Sequence, residues 1–231
     1  MADILKSIVR TADLIKTLIF YKRSISKLLG VPQKEINSVY AQLYASKFFM
    51  DIKQKVKVPL ALYYLSMLSP LRAPLLYLIC RITKPEIVVE TGVKDGFSSS
   101  FILFALEMNK KGRLYSIDLP NSQGQELGPD KDTGWLVPEE LKPRWSLILG
   151  SSDSKLPALL QDIGKIDIFI HDSDHSYQNM IFEFKQSWGY LKAGGYLLSD
   201  DITDNQAFAD FVRLNGCINS LRLFKSGIAI R

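Results

Sequence analysis

Five carboxylates fall where a ligand could be met. Glu90, Asp118, Asp172, Asp200 and Asp201 each stand at or just past the end of a short apolar run that reads as a β-strand. In an open parallel sheet these positions converge on one rim, and ligands bind in the crevice beyond the strand ends. The chain has two histidines, and both belong to the run His171-Asp172-Ser173-Asp174-His175. An imidazole titrates near neutrality and can take a proton from a hydroxyl group, which makes His175 the candidate base. His171 reads as packing beside its strand end. Asp174 reads as an acid at a helix N-terminus, where the macrodipole favours it. Asp172, Asp200 and Asp201 are oxygen donors of the kind that a hard divalent cation takes. A cation held there would lower the pKa of a bound hydroxyl.

A second group of residues suits a cofactor. The run Glu90-Thr91-Gly92-Val93-Lys94-Asp95-Gly96-Phe97-Ser98 follows the first strand. Its glycines let the backbone turn sharply and approach a ligand. The spacing is Gly-x-x-x-Gly, not the Gly-x-Gly-x-x-Gly of dinucleotide sites. An acid two residues before the first glycine would repel a pyrophosphate and suits a ligand bearing an ammonium group. Asp118 comes about one βα unit later, where a carboxylate can accept two hydrogen bonds from a ribose diol.

These motifs resemble motif I of class I S-adenosylmethionine-dependent methyltransferases. The Gly96-Phe97-Ser98 portion is similar to the Gly-Tyr-Ser of catechol- and caffeoyl-coenzyme-A-type O-methyltransferases. The resemblance runs from about Pro70 to the C-terminal hairpin. It implies S-adenosylmethionine as cofactor, with Glu90 and Gly92 at the methionine portion, Ser98 at its carboxylate, Asp118 at the ribose, and Thr91 and Gly96 among the cofactor-binding residues. Ser152 and Asp153, in Gly150-Ser151-Ser152-Asp153, match the segment that lines the adenine. Asp172 borders the same cofactor. In metal-dependent members Asp172, Asp200 and Asp201 fall on the ligand positions of Mg²⁺ or another hard divalent cation. His175 matches the base of macrolide sugar O-methyltransferases, where catechol-type enzymes carry lysine. The pair Asp200-Asp201 departs from the Glu-Asp and Asp-Asn of those two groups. The implied reaction is methylation of a hydroxyl on a sugar, polyol or phenol. Two rival readings stand beside it: a hydroxylase relative on the same fold, similar to cephalosporin hydroxylase-like proteins, and a non-catalytic, membrane-attached binding protein.

The elements that must position these residues are legible as alternating strands and helices from Pro85 onward, the pattern of a parallel sheet with crossovers. Strands are predicted at 87–89, 113–117, 147–149, 166–170 and 195–198, with helices over 101–108 and 177–191. Two further strands, 220–224 and 227–230, read as a hairpin. The fold class is therefore α/β: a doubly wound, mostly parallel, Rossmann-like sheet of seven strands with a C-terminal antiparallel hairpin. The segment 120–143 is rich in Gly, Pro, Asp and Asn and reads as a lid, in which Trp135 either stacks on a substrate or anchors the loop. Residues 1–69 read as a helical extension and 70–231 as the methyltransferase domain. Within the extension, helical spacing covers the first 29 residues and a second stretch from about 34 to 53. These helices cover the sheet, mediate a homo-oligomer contact, or lie on an anionic membrane.

Bulk properties narrow the classes. The 231 residues suit one α/β domain with an extension, and 47% hydrophobic content suits a packed core. The net charge of +5 is mild and concentrated in the first 60 residues, which argues against a nucleic-acid-binding body. Cys80 and Cys217 lack metal-ligand spacing and read as buried thiols in a reducing, cytoplasmic setting. The apolar stretch 58–82 is broken by Pro59, Pro70, Arg72 and Pro74, so it reads as two core helices and not as a membrane span.

Overall fold

A computed structural model describes residues 20–56, 73–121, 131–223 and 225–231. Residues 1–19 of the helix expected over the first 29, the junction near Ser69-Pro70, the proposed boundary at 69/70 and much of the lid lie outside the described residues.

Strand and crossover signals fold as the sequence pattern dictates. The strands are β1 (Ile87–Thr91), β2 (Arg113–Asp118), β3 (Trp145–Leu149), β4 (Ile166–His171), β5 (Leu191–Ser199), β6 (Ser220–Leu223) and β7 (Ser226–Ile230). They form one sheet in the order β3-β2-β1-β4-β5-β7-β6. The first five are parallel, and β7 inserts antiparallel between β5 and β6. Order reverses between β1 and β4, the switch point where such sheets open a crevice.

Side chains alternate across a strand, so neighbouring residues feed opposite faces. Val88, Ile168, Ile170, Leu198 and Ile228 join one core, whereas Val89, Phe169, Leu197 and Ala229 join the other. The first core is covered by α1 (20–29), α2 (Gln33–Tyr44), α3 (Lys47–Val56), α4 (Ala73–Thr83) and α5 (Phe97–Asn109). The second is covered by α6 (Ser152–Ile163), α7 (Tyr177–Tyr190) and α8 (Ala207–Leu214). The result is three layers, helices on both faces of the sheet.

The predicted helix over 34–53 is two helices. Ser46 divides them: its hydroxyl donates to the Leu43 carbonyl at 2.6 Å and accepts the Phe49 N–H at 3.2 Å, ending one helix and starting the next. The described part of the extension packs on the sheet domain. Phe48 stacks on Phe104 at 4.2 Å between ring centroids and meets Phe101 edge-on at 5.3 Å. Strand β5 begins at Leu191, four residues before the expected start, beside an irregularity in its pairing with β4. Cys80 is buried as expected, while Cys217 is half-buried. Among the described residues no helix is long and apolar enough to cross a membrane.

Candidate active site

The carboxyl ends of β1, β2 and β3 frame a groove of about 760 Å³. Gly92 turns the chain at its centre with φ +85°, and a Cβ there would lie 1.9 Å from the Asp172 carbonyl oxygen. Only glycine fits that approach. Asp118 closes one side of the groove. Its Oδ2 accepts the Val93 and Lys94 N–H groups at 2.7 and 2.6 Å, and its Oδ1 accepts the Leu119 N–H at 2.7 Å. The carboxylate thus shapes the turn and keeps one acceptor site, on Oδ1, for a ribose hydroxyl. Ser152 and Asp153, at the start of α6, line the far end, and Asp172 and His175 line the near end.

Four other expected cofactor residues, Glu90, Thr91, Gly96 and Ser98, lie outside the lining of this groove, and Ser98 lines the second cavity described below. Glu90 is wholly buried behind the turn, where it accepts hydrogen bonds from Ser98 and Ser99, both at 2.6 Å, and from Ser116 at 2.9 Å. Burial pushes its carboxyl up to about 7 against the lowering effect of those hydroxyls. Thr91 is buried as well, its hydroxyl donating to Glu183 at 2.5 Å. Gly96 has φ +87° and faces the lid segment, where a Cβ would meet Gly134 at 2.9 Å. Backbone bonds from Gly134 to Lys94 and from Leu136 to Asp95 stitch that segment to the turn. Trp145 holds it from the other side. Its indole N–H donates to Ser116 at 2.9 Å, and its ring fills the space that a Gly134 side chain would need. Trp135 stacks under the Lys131 ammonium at 3.7 Å.

A second cavity, about 530 Å³, opens beyond β4, β5 and β7. Its walls are apolar: Leu75 and Leu76 from α4, Phe97 from α5, Leu198 from β5 and Ile228 from β7. Its polar lining residues include Ser98, Asp172, Asp200, Asp201 and Ser226, with His171, Ser199, Lys94 and Asp95. Groove and cavity share Val93, Lys94 and Asp172. A ligand in each would therefore meet at Asp172.

His175 stands beside that meeting point. Its Nε2 is 3.7 Å from Asp172 Oδ1 and its Nδ1 is 3.8 Å from Asp201 Oδ2, ion-pair contacts too long for hydrogen bonds. The Asp172 carboxylate raises the His175 pKa above its ordinary value, against the lowering effect of burial. Asp172 itself is raised, by burial first and by the neighbouring Asp200 charge.

The residue that sequence reasoning missed is Glu183. It is fully buried in the middle of α7, on the face that carries Met180, Phe184 and Ser187. Its carboxylate receives Thr91 at 2.5 Å, His171 Nδ1 at 2.6 Å, Ser173 at 2.7 Å and Asn179 at 3.2 Å. Burial works to raise its pKa, but His171 and the other donors outweigh it and hold the carboxyl below its usual range. An acid on the apolar stripe of a helix was the available signal.

The expected metal site does not fit these positions. Asp200 Oδ1 accepts from the Ser226 hydroxyl at 2.7 Å, and Asp201 Oδ1 pairs with the Lys225 ammonium at 2.9 Å. Among the described residues no group of three or more His, Cys, Asp or Glu side chains is placed to hold a metal ion. Three carboxylates line one cavity without converging on one point, as a hard cation requires.

Comparison with known proteins agrees with this architecture. Residues 89–202 match the model of a methyltransferase domain family. No curated protein matches the chain. A solved O-methyltransferase of Streptomyces achromogenes involved in tomaymycin synthesis, in complex with S-adenosylmethionine, is similar at 16% identity and TM-score 0.52, covering 78% of this chain and 86% of that one. An S-adenosylhomocysteine-bound methyltransferase of Podospora anserina is similar at 18% identity and TM-score 0.51, covering 69% and 76%. A putative O-methyltransferase of Klebsiella pneumoniae is similar at 16% identity and TM-score 0.51, covering 68% and 77%. At these identities the structures speak for the fold, and residues 89–202 form a methyltransferase domain whose glycine turn and rim acids are consistent with a class I S-adenosylmethionine-dependent methyltransferase.

Proposed function

We propose that this enzyme transfers a methyl group from S-adenosylmethionine to a hydroxyl of a small molecule, a sugar, polyol or phenol. The observation that carries this reading is the meeting of groove and cavity at Asp172 with His175 alongside. The groove takes the cofactor, with Asp118 at the ribose and Ser152 and Asp153 toward the base. The cavity takes the acceptor, whose apolar body suits Leu75, Phe97 and Ile228. An acceptor hydroxyl held near Asp172 attacks the methyl carbon in line with the departing sulfur. The carbon–sulfur bond pair stays on sulfur, giving S-adenosylhomocysteine, and the hydroxyl proton passes to His175. Similarity to the O-methyltransferases of Streptomyces and Klebsiella supports oxygen as the acceptor atom.

Metal assistance stands outside this scheme. A divalent ion at Asp172, Asp200 and Asp201 would share Asp201 with Lys225, and no step here depends on it.

Calorimetry with S-adenosylmethionine tests the first half: the chain should bind it, and a folded protein that does not bind it ends the proposal. Transfer of labelled methyl to a panel of phenols, sugars and polyols, run under nitrogen, tests the second. Product formed only when oxygen is supplied would favour the hydroxylase reading.

A further inference from the structure

Asp172 stands where groove and cavity meet, and the residues on either side of it both bond to one buried carboxylate. His171 Nδ1 donates to Glu183 Oε2 at 2.6 Å, and the Ser173 hydroxyl donates to Glu183 Oε1 at 2.7 Å. Thr91, the residue before the Gly92 turn, donates to Oε2 at 2.5 Å. Asn179, one turn earlier on α7, donates to Oε1 at 3.2 Å and to the Asp174 carbonyl at 2.9 Å. One oxygen therefore serves the ends of β1 and β4, and the other serves the loop after β4 and α7. The backbone closes the same joint. The Asp172 N–H donates to the Thr91 carbonyl at 2.8 Å, and the Asp200 N–H donates to the His171 carbonyl at 3.0 Å. The Asp172 carbonyl in turn lies against Gly92. Glu183 shares its face of α7 with Met180 and Phe184. Packing there is met by an apolar side chain, whereas a buried carboxylate is costly to desolvate. What the carboxylate adds is its set of bonds, and these run to the two segments that carry the Gly92 turn and Asp172.

We propose that Glu183 is a positioning residue for methyl transfer, which fixes the Gly92 turn and Asp172 against each other and so sets the junction where the sulfonium end of the cofactor faces the acceptor. The assignment of groove and cavity to cofactor and acceptor rests on the function proposed above. Glu183 is 0% exposed and meets neither ligand; it acts through Thr91, His171 and Ser173. In-line transfer is sensitive to placement, because small displacements of the reacting atoms cost much of the rate. A carboxylate with four donors holds its partners more tightly than any one hydrogen bond between the two strand ends.

Calorimetry on the full chain with S-adenosylhomocysteine and with adenosine tests this. Adenosine reaches Asp118 and the start of α6 but lacks the amino-acid arm that runs toward Asp172. Glu183→Gln keeps the shape and turns one acceptor into a donor. Glu183→Asp keeps the charge and draws both oxygens back by one methylene. Each should weaken S-adenosylhomocysteine roughly tenfold while leaving adenosine within about twofold. In hydrogen exchange of the unliganded chain, the Asp172 and Asp200 amides should lose protection in both variants, and the amides pairing β2 with β3 should keep it. Ser173→Ala removes one donor and should show both changes in smaller measure; it carries the test if the Glu183 variants do not melt cooperatively. A role in stability alone would weaken both ligands by the same factor or neither, and either result overturns the proposal. Asp172 and Asp200 amides that exchange at the wild-type rate overturn it as well. Wild-type binding with equal losses in the variants sinks this assignment alone. A folded wild-type chain that binds neither ligand sinks the proposed function, and this assignment with it.

Discussion

The two halves of the rim are made of different material. The groove beyond β1, β2 and β3 is built from main chain: a glycine turn, backbone N–H groups gathered by Asp118, and the first residues of α6. The cavity beyond β4, β5 and β7 is built from side chains, with apolar walls from α4, α5, β5 and β7 above a polar floor. A backbone site tolerates few substitutions because its geometry is its chemistry. A side-chain site can be re-lined while the sheet beneath it stays the same. The contrast teaches which half of such an enzyme is fixed by the fold and which half is free to choose its acceptor.

Four changes would break or sharpen that contrast, the largest first. Gly92→Ala drives a methyl group into the Asp172 carbonyl at a left-handed backbone position. It should cost about 3 kcal/mol or more in urea unfolding and abolish cofactor binding. If the variant kept wild-type stability, the groove would not be a backbone construction. His175→Ala should lower turnover by roughly 10²–10⁴-fold, the usual worth of a general base, with S-adenosylmethionine affinity kept. Unchanged turnover would move the proton to another group. Asp118→Ala removes the acceptor of three N–H groups and should weaken S-adenosylmethionine binding by about 10–100-fold in calorimetry. Lys225→Met should have the smallest effect, because its pair with Asp201 is exposed to solvent. Its melting midpoint should match the wild type. Mn²⁺ binding followed by paramagnetic resonance should be absent in the wild type, and its presence there would restore the metal reading.

The pH dependence has a definite sign. The Asp172 carboxylate raises the His175 pKa above 6.5, and the base is the neutral ring. Turnover should climb as pH rises through the folded value and level off beyond it. The stabilising pairing with Asp172 runs the other way. It is fully present below the unfolded value near 6.5 and is lost as pH rises through the folded one. A flat rate profile from pH 6 to 9 would remove His175 from the proton path.

Much of the fold was legible because period and punctuation are local. The runs 87–89, 113–117 and 166–170 read as strands that end in polar residues, and all three form, each extending one or two residues further. The helix over 34–53 was read too long because nothing in its spacing reveals that the Ser46 hydroxyl serves two backbone groups at once. The glycine turn was legible for the same reason as the strands: its residues are consecutive. Glu90 read as a ligand because its place in the motif is right, yet burial depends on Ser99 and Ser116, which other elements bring to it. Glu183 was invisible for the same cause. Its partners lie 92, 12, 10 and 4 residues away, and only the fold assembles them.

The reach of each site along the chain has a consequence for how the molecule assembles. The groove draws on residues from Gly92 to Asn179, the cavity on residues from Ala73 to Ile228. Closing a longer loop costs more entropy, and β7 must thread between β5 and β6 to bring Gly227 and Ile228 to the cavity wall. The cavity is therefore expected to form last on folding and to open first in partial unfolding. In hydrogen exchange, the β5–β7 amides should lose protection before those of β1 and β4.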